Sequence, residues 1–555
     1  MNVIAITRLS AWLAFLSAGC QLATAAFVDP SAERDALPTV PPGFEVSFFA
    51  REPLVRQPCS MAFDAKGRLC VGMGPQYRSP KPETPGDSVV LVLDTDGDGN
   101  ADRTKIFATG FNAIQGLAWH GRDLWVANAP DLTVVRDLDG DDEADEYVLI
   151  YTDLGNLEHG LHGLNWAPDG RLYMSKGNSK GLTQPGRIAP KPFRDLWGMP
   201  APTGSPDFPE PRTFKKGEYQ KAYHDPADDW GVQGGVLRCD DGGLNLEIVS
   251  RGMRNPWDIT FDTGFNWLGT DNDQTTGDRV FMPFFGANFG WNHPWSAHWG
   301  TDAHPPTAPV SGPLFEGSGT GVIYGDSPQF PSSHRGVFYI NDWLRKATFV
   351  WRPRWDGALL RPAGEWEPFV QGGKSLFRPT DLQVGPDGAL WILGWSSGYG
   401  AEYKDGQMTS EGRVFRVVSK SSPPARWQTP KRDKPLAKWT VSELVEDFDG
   451  PLPVWRIDAQ DELVRRGPSV KAELLSMLGT RGINEARETW TAWTLGRLTP
   501  QDRTMDEWFS ARAGDSATSL NLRVQWLRIL AHRIRQSGDG RELPVGVMNL
   551  LGNQE

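Results

Sequence analysis

Two histidines three residues apart, in "EHGLHGLNWAPDGRLYMSKGN" (158–178), are the first residues whose type and spacing could do chemistry. The chain has only nine histidines, so a close pair stands out. An imidazole titrates near neutrality and can act as a general base. Residues three apart point to opposite faces of a strand but can converge in a turn. His159 and His162 therefore read either as a base and its companion or as two hydrogen-bonding residues at a strand edge. Two histidines alone do not define a metal centre. A second stretch, "RGMRNPWDITFD" (251–262), leads into "GTDNDQTTGDR" (269–279) and "GANFGWNHPW" (286–295). It gathers Arg254, Asn255, Asp258, Asp271, Asp273 and Asp278 among Trp and Gly. Arginine offers a planar donor fork for carboxylates. The aspartates suit a cation or sugar hydroxyls, the plain alternative being a loop network that satisfies strand ends.

Two acidic loops form a third constellation. "DTDGDGNAD" (94–102) and "DLDGDDEAD" (137–145) both read D-x-D-x-D-x-x-x-D, 43 residues apart. Calcium takes six to eight oxygens, and alternate aspartates in a tight loop supply several. The candidate ligands are Asp94, Asp96, Asp98 and Asp102 in the first loop, and Asp137, Asp139, Asp141 and Asp145 in the second. Position six is Gly99 in the first loop but Asp142 in the second, and position twelve is Lys105 or Val148 rather than Glu. Neither is a full EF-hand loop, and an exposed acidic turn is the alternative. A cation here is expected to stabilise rather than catalyse.

The elements that must position these residues show themselves as a repeat. "SMAFDAKGRLCVG" (60–72), "GLAWHGRDLWVAN" (116–128), "GLNWAPDGRLYMS" (163–175), "DITFDTGFNWLGT" (258–270) and "DLQVGPDGALWIL" (381–393) share one plan: a short apolar strand, an Asp/Gly turn, a second strand. Each is predicted to be a β-hairpin. "GVFYINDWLRKATFVW" (336–351) is a weaker sixth copy. Hairpins repeating on one plan imply a six-bladed β-propeller over 40–418, a mainly β fold. "GFEVSFFA" (43–50) is the strand expected to close the ring. The 24 Trp and 61 Gly fit short strands between turns. A Pro- and Lys/Arg-rich linker is read at 419–437, and the period then becomes helical. Thr440 and Glu443 form a capping box, and Gly467 stops "PVWRIDAQDELVRR". Paired amphipathic helices over 438–555 predict a small solenoid of the HEAT type.

The first 25 residues read as an export signal, with Arg8, an apolar run and an A-x-A site at Ala23–Ala25. This predicts a periplasmic or secreted protein. "LSAGC" makes Cys20 a second processing point, as a lipid anchor. No later segment is apolar enough to span a membrane. Cys59 and Cys70 bracket a hairpin and either pair or serve as small buried hydrophobes. No C-x-x-C-H occurs, so no covalent haem is expected in this chain. A net charge of −12 argues against nucleic-acid binding.

Taken together, these motifs resemble the soluble quinoprotein glucose/sorbosone dehydrogenase propellers, which oxidise sugars with pyrroloquinoline quinone (PQQ) and calcium. That family carries H-x-G-G-R-L-x-x-G-P-D-G-x-L-Y-x-x-x-G-D. Here His159 stands at the family's base, and Leu164, Pro168, Asp169, Gly170, Leu172, Tyr173 and Gly177 match. The family's quinone-contacting R-N-P matches Arg254, Asn255 and Pro256. N-x-G-W matches Asn288 to Trp291, and R-P-x-D-L matches 378–382, bringing Arg378 to the cofactor. Three positions depart from the pattern: Gly163 replaces an Arg, Asn178 replaces the Asp that works with the base, and "TDND" (270–273) replaces E-H-G-P. The likeness is closer to the large secreted propellers of planctomycetes and verrucomicrobia labelled membrane-bound dehydrogenases, which share H-x-x-H-x-L-x-W-x-P-D-G, R-N-P-W-D and T-D-N-D. The resemblance implies oxidation of a sugar or alcohol with His159 as base. PQQ would be held by Arg254, Asn255, Asp258, Asp271, Asp273 and Arg378, and His162 would share the site. Electrons would leave to a separate c-type cytochrome. The alternative is a non-catalytic carbohydrate- or protein-binding propeller, since fold does not fix function. A calcium-dependent hydrolase or lyase is a third reading that no residue set favours.

Overall fold

Short apolar strands separated by tight turns fold into six sheets of four or five strands, antiparallel except at the short edge Ala287–Asn288, and two small two-stranded ribbons in the computed structural model. The structure describes residues 36–537 except 79, 179–189, 198–202, 221–232, 273–276, 292–306, 315–316, 396–397, 399–402, 405–406, 409–410, 423–429, 480–481 and 501. The expected leader with Cys20, and Asp273, lie outside the described residues.

Blade 1 comprises Pro58–Phe63, Leu69–Met73, Asp87–Leu93 and Arg103–Phe111. Blade 2 runs from Ile114–His120 out to Glu146–Tyr151, with Arg212–Lys215 as an added edge. Blade 3 runs from Leu161–Trp166 to Glu247–Met253, and blade 4 from Pro256–Phe261 to Gly312–Pro313. Blade 5 runs from Gly319–Gly325 to Glu367–Gln371. Blade 6 takes Pro379–Val384, Leu390–Gly394 and Arg413–Ser419, and its outermost strand is Phe44–Arg51 from the N-terminal end. That pairing closes the ring, as expected for "GFEVSFFA". The six innermost strands pack side by side in sequence order, and blade 6 meets blade 1.

Strands such as Leu69–Met73 and Leu390–Gly394 are buried on both faces because each blade stacks between two others. Polar clips tie neighbours at the centre. Hydroxyls of Ser175, Thr320 and Thr380 donate to the carbonyls of Trp257, Pro379 and Pro58 in the next blade, at 3.1, 2.7 and 2.9 Å. Carboxylates of Asp87, Asp258 and Asp381 accept from the backbone N–H groups of Ile114, Val322 and Met61, at 2.8, 2.9 and 2.7 Å.

One expectation changes, and one open alternative is settled. The weak sixth copy at 336–351 is the second hairpin of blade 5, not its innermost one. The innermost pair is Gly319–Gly325 with Val337–Asp342. Their connection carries a 3₁₀ turn, Ser332–His334, instead of an Asp/Gly turn, so the repeat signal is lost there. Cys59 and Cys70 do not pair. Cys70 lies opposite Ala62, three residues from Cys59. That offset is about 10 Å along the strand, beyond disulfide reach. Cys59, Cys70 and Cys239 are buried thiols.

After Ser419 the described chain is helical: Val441–Glu446, Pro453–Arg466, Lys471–Leu478, Glu485–Leu498, Arg503–Gly514 and Leu520–Ser537. The capping box forms as read, with Glu443 N–H donating to Thr440 Oγ1 at 3.1 Å and Thr440 N–H to Glu443 Oε2 at 2.7 Å. The end of the expected linker is not slack. Lys431 and Arg432 both bond Asp447, at 3.0 and 2.9 Å, and the Arg432 guanidinium lies 3.4 Å from the centre of the Trp455 ring. The helices pack on the hairpin turns of blades 1 to 4. Trp455 Nε1 donates to Ala65 O at 3.0 Å, Gly121 N to Asp458 Oδ1 at 2.7 Å, Gln460 to Pro168 O at 2.8 Å and Gln525 to Gly264 O at 2.8 Å. Trp166 and Phe265 of the propeller share one apolar core with Trp490 and Trp526 of the helices. Among the described residues no helix is long and apolar enough to cross a membrane.

Candidate functional site

The innermost hairpins turn at the face the helices cover, so their open ends meet at the opposite face. His159, Asn178, Arg254, Asn255 and Asp271 all lie at or beside the open ends of the blade 3 and blade 4 hairpins. Sequence-distant residues meet there because each blade delivers one such end to the central mouth.

His159 is held from two sides. Its backbone N–H donates to Asn156 Oδ1 at 2.8 Å, and its Nδ1 lies 2.6 Å from Asn178 Oδ1. An amide oxygen only accepts, so Nδ1 carries the proton and the Nε2 lone pair is left as the basic position. Glu158 Oε1 is 3.9 Å from that Nε2. Burial, then the positive charges of Arg254, Lys176 and Arg78, push the His159 pKa down to about 4 against the pull of Asn178. The ring is neutral at pH 7.

His162 is fully buried and stacks on Trp257, ring centres 4.4 Å apart. Its Nε2 donates to Asn255 Oδ1 at 3.2 Å, while its Nδ1 has no partner. Burial pushes its pKa down to about 3. Gly177 makes this closeness possible. A Cβ there would sit 2.5 Å from Asn255 Oδ1 and 2.7 Å from His159 Cβ.

The predicted cofactor residues divide into two groups. Arg254, Asn255 and Arg378 stand at the mouth. Arg254 Nη1 donates to Asn272 O at 3.0 Å, and the Arg378 guanidinium lies 4.3 Å over Trp343. Asp271 and Asp258, expected beside them, are buried and bonded within the protein. Asp271 is fully buried, paired with Arg279 at 2.8 Å, and accepts from the backbone N–H groups of Arg254 and Asn255 at 3.1 and 2.9 Å. It fixes the loop that presents them. Asp258 lies in the channel wall, where its carboxylate caps Ile259 N–H and Val322 N–H. Burial, then the Asp381 charge, raises its pKa well above the carboxylate range. Gly163, where the resembled family has Arg, has φ +42°, and a Cβ there would lie 2.5 Å from Asp258 Oδ1. No side chain fits at that position, which explains the departure.

Sequence reasoning missed the aromatic floor. Tyr77, Trp257, Trp343 and Trp395 cluster with Cys59 at the mouth, and Tyr77 sets edge-on to Trp257 and Trp395 at 6.0 and 5.6 Å. They come from blades 1, 4, 5 and 6, and no local pattern links them. Only the tryptophan count hinted at such a surface. The cavities beneath hold about 30 and 20 Å³, room for single waters. A larger planar ligand would therefore lie on this floor. Arg254, Arg378, Lys176 and Arg78 suit an anionic one, so a polycarboxylate quinone fits the donor set in charge.

The acidic loops lie at the other face. Each joins the third and fourth strands of its blade. Carboxylate oxygens of Asp94, Asp96 and Asp98 converge within 4.8 Å, as do those of Asp137, Asp139 and Asp145. Asp102 instead accepts from Thr95 Oγ1 at 2.7 Å, and Asp141 from Glu143 N–H at 2.8 Å. Asp142, at the glycine position with φ +66°, makes a two-pronged pair with Arg68 of blade 1 at 2.8 and 2.9 Å.

The strand pairings thus define a six-bladed β-propeller with a helical segment on one face. A family model described as a domain of unknown function, DUF7133, matches residues 31–191. No curated protein matches. Among solved structures, the PQQ-bound form of aldose sugar dehydrogenase from Streptomyces coelicolor is 15% identical, covering 68% of this chain and 100% of its own, with a TM-score of 0.42. The soluble aldose sugar dehydrogenase of Escherichia coli, in its apo-form, is 14% identical with 68% and 100% coverage and a TM-score of 0.44. A calcium structure of a Trichoderma reesei carbohydrate-active enzyme of family AA12 is 13% identical with 69% and 97% coverage and a TM-score of 0.43.

Proposed function

We propose that this chain oxidises a hydroxyl group of a sugar or alcohol at the propeller mouth, using a bound quinone of the PQQ type. The observation that carries the reading is His159. Asn178 fixes its tautomer, burial and three cations keep it neutral, and its Nε2 is left as the basic atom, 3.9 Å from Glu158 Oε1. His159 Nε2 takes the hydroxyl proton. Arg254 and Arg378 would hold the carboxylates of the cofactor, with the buried Lys176 adding positive charge beneath, and the cofactor when bound supplies the hydride acceptor. Asn255 would orient it, and Asp271 keeps both loop residues in place. The aromatic floor suits the apolar face of a sugar ring. On this reading the enzyme is secreted or periplasmic and passes its electrons to a separate c-type cytochrome.

The test is direct. The purified chain is supplied with PQQ and calcium, and quinone absorbance and dye reduction are followed with a panel of sugars and alcohols. Saturable PQQ uptake and substrate-dependent reduction are expected, with turnover abolished and uptake kept in His159→Ala. No uptake and no reduction would sink the reading. One observation favours the second reading, a carbohydrate-binding propeller without turnover. Asn178 gives His159 no negative charge, so the base is weak. On that reading sugars bind the aromatic floor without PQQ, and Trp343→Ala removes the binding.

A further inference from the structure

A large opening lined by described residues of both parts of the chain lies away from the mouth. It is a cleft of about 700 Å³ at the seam between blades 3 and 4 and the helix Leu520–Ser537. That volume is in the range of small-molecule sites. Its walls are Phe265, Trp267, Phe284, Phe285 and Trp493. Phe284 and Phe285 are 46% and 40% exposed at the rim, a large apolar surface to leave in water.

Its polar groups are few and mainly cationic. Arg528, Ala531, His532 and Arg535 project from one face of the helix at i, i+3, i+4 and i+7. Arg528 donates to Gly264 O and Phe265 O at 3.0 Å and to Asn266 Oδ1 at 2.7 Å, so its bonds go to neutral oxygens. The nearby Asp262 is engaged by Asn266 and Gly264. Arg535 and Arg238 lie 3.6 and 4.3 Å over the Phe285 ring. They share Glu247, and Arg238 also holds Asp169. The exposed Asp356 is the remaining carboxylate of the lining. His532 sits edge-on to Trp493 at 5.7 Å, and its Nδ1 is buried without a partner. A buried polar atom left unbonded costs about 1–3 kcal/mol, and a ligand oxygen would satisfy it.

We propose that this seam cleft binds a small amphipathic acid, its apolar body between Phe285, Trp267 and Trp493 and its anionic group at Arg528 and His532. The site is separate from the mouth and does not rest on the function proposed there. Ligand occupancy would bridge blade 4 and the last described helix, so binding would also stabilise their docking.

The test uses the full chain and 1-anilinonaphthalene-8-sulfonate, an aromatic anion whose fluorescence rises on burial. One saturable site per chain is expected, competed by decanoate and not by decylamine. Ala531→Trp, which fills the cleft from an exposed helix position, should weaken the dye at least about tenfold (~1.4 kcal/mol) while the melting curve is unchanged. Leu359→Trp, from the opposite wall, is the second variant should Ala531→Trp fail to fold. Equal competition by decylamine would overturn the acid specificity. Dye binding unaffected by either variant would overturn the site. Self-association through Phe284 and Phe285, seen by sedimentation and excluding the dye, would overturn it in favour of a second copy as occupant.

Discussion

The basicity of His159, the base of the proposed function, is set by its burial and its neighbours. Burial and then Arg254 depress its pKa to about 4, and the uncharged Asn178 offsets only part of this. In the proposed function the neutral ring is the active form, so turnover should rise with pH through about 4 and stay flat above it, rather than titrate near 6.5. Asn178→Asp places a carboxylate against Nδ1–H and favours the charged ring. The acid limb should then move up by about one pH unit or more. NMR titration of the His159 ring should show the same movement without substrate, and an unmoved titration would refute the coupling. Gly163 is the second residue with a sharp consequence. At φ +42°, with Asp258 Oδ1 2.5 Å and Asp258 Cα 2.9 Å from any Cβ, alanine meets both strain and overlap. Gly163→Ala should cost ~2 kcal/mol or more, read as a fall in Tm.

At the scale of elements, the acidic loops are turns that already hold blades together. Ala101 N–H donates to Phe49 O at 2.7 Å, reaching from the first loop to blade 6, and Asp142 reaches from the second to blade 1. A cation among Asp94, Asp96 and Asp98, and another among Asp137, Asp139 and Asp145, would relieve the repulsion between those carboxylates. Calcium should therefore raise Tm by about 2–4 °C over the chelated protein, and Asp96→Asn with Asp139→Asn should remove the response without unfolding the chain. A Tm indifferent to chelation would show that the loops are plain turns. These loops were legible because their ligands are local, as were the five Asp/Gly hairpins and the Thr440 cap. Blade 5 was misphased because its first turn uses a 3₁₀ segment. The aromatic floor was hidden because its members meet only when the ring closes, and the Asp271–Arg279 clamp because it depends on the cross-strand register of two short strands in blade 4. The histidine pair was legible as a pair, but its meaning depends on Asn178 and Asn255, which other strands deliver.

For the molecule as a whole, the mouth and the helical segment occupy opposite faces, so the helices act on the ring rather than on the site. Their hold includes a titratable bond. His120, at the blade 2 turn, pairs with Asp461 of the helix Pro453–Arg466 and packs on Trp166 at 4.3 Å. Burial lowers the His120 pKa, but the Asp461 bond, with the charges of Asp458 and Asp241, outweighs it and the net shift is upward. Asp461 shifts downward, since His120 and Arg497 together outweigh its burial. A folded pKa above the unfolded 6.5 means the folded chain keeps the proton longer. The stabilisation is complete below 6.5 and is lost as pH rises through the folded His120 value. The lowered Asp461 keeps its charge, and the pair, well into the acid range. His120→Gln should therefore cost ~1–2 kcal/mol near pH 6 and clearly less near pH 9. Thermal melts of both proteins at the two pH values measure this difference. An equal cost at both would show that the contact is held by packing on Trp166, and that the ion pair adds nothing to the seam.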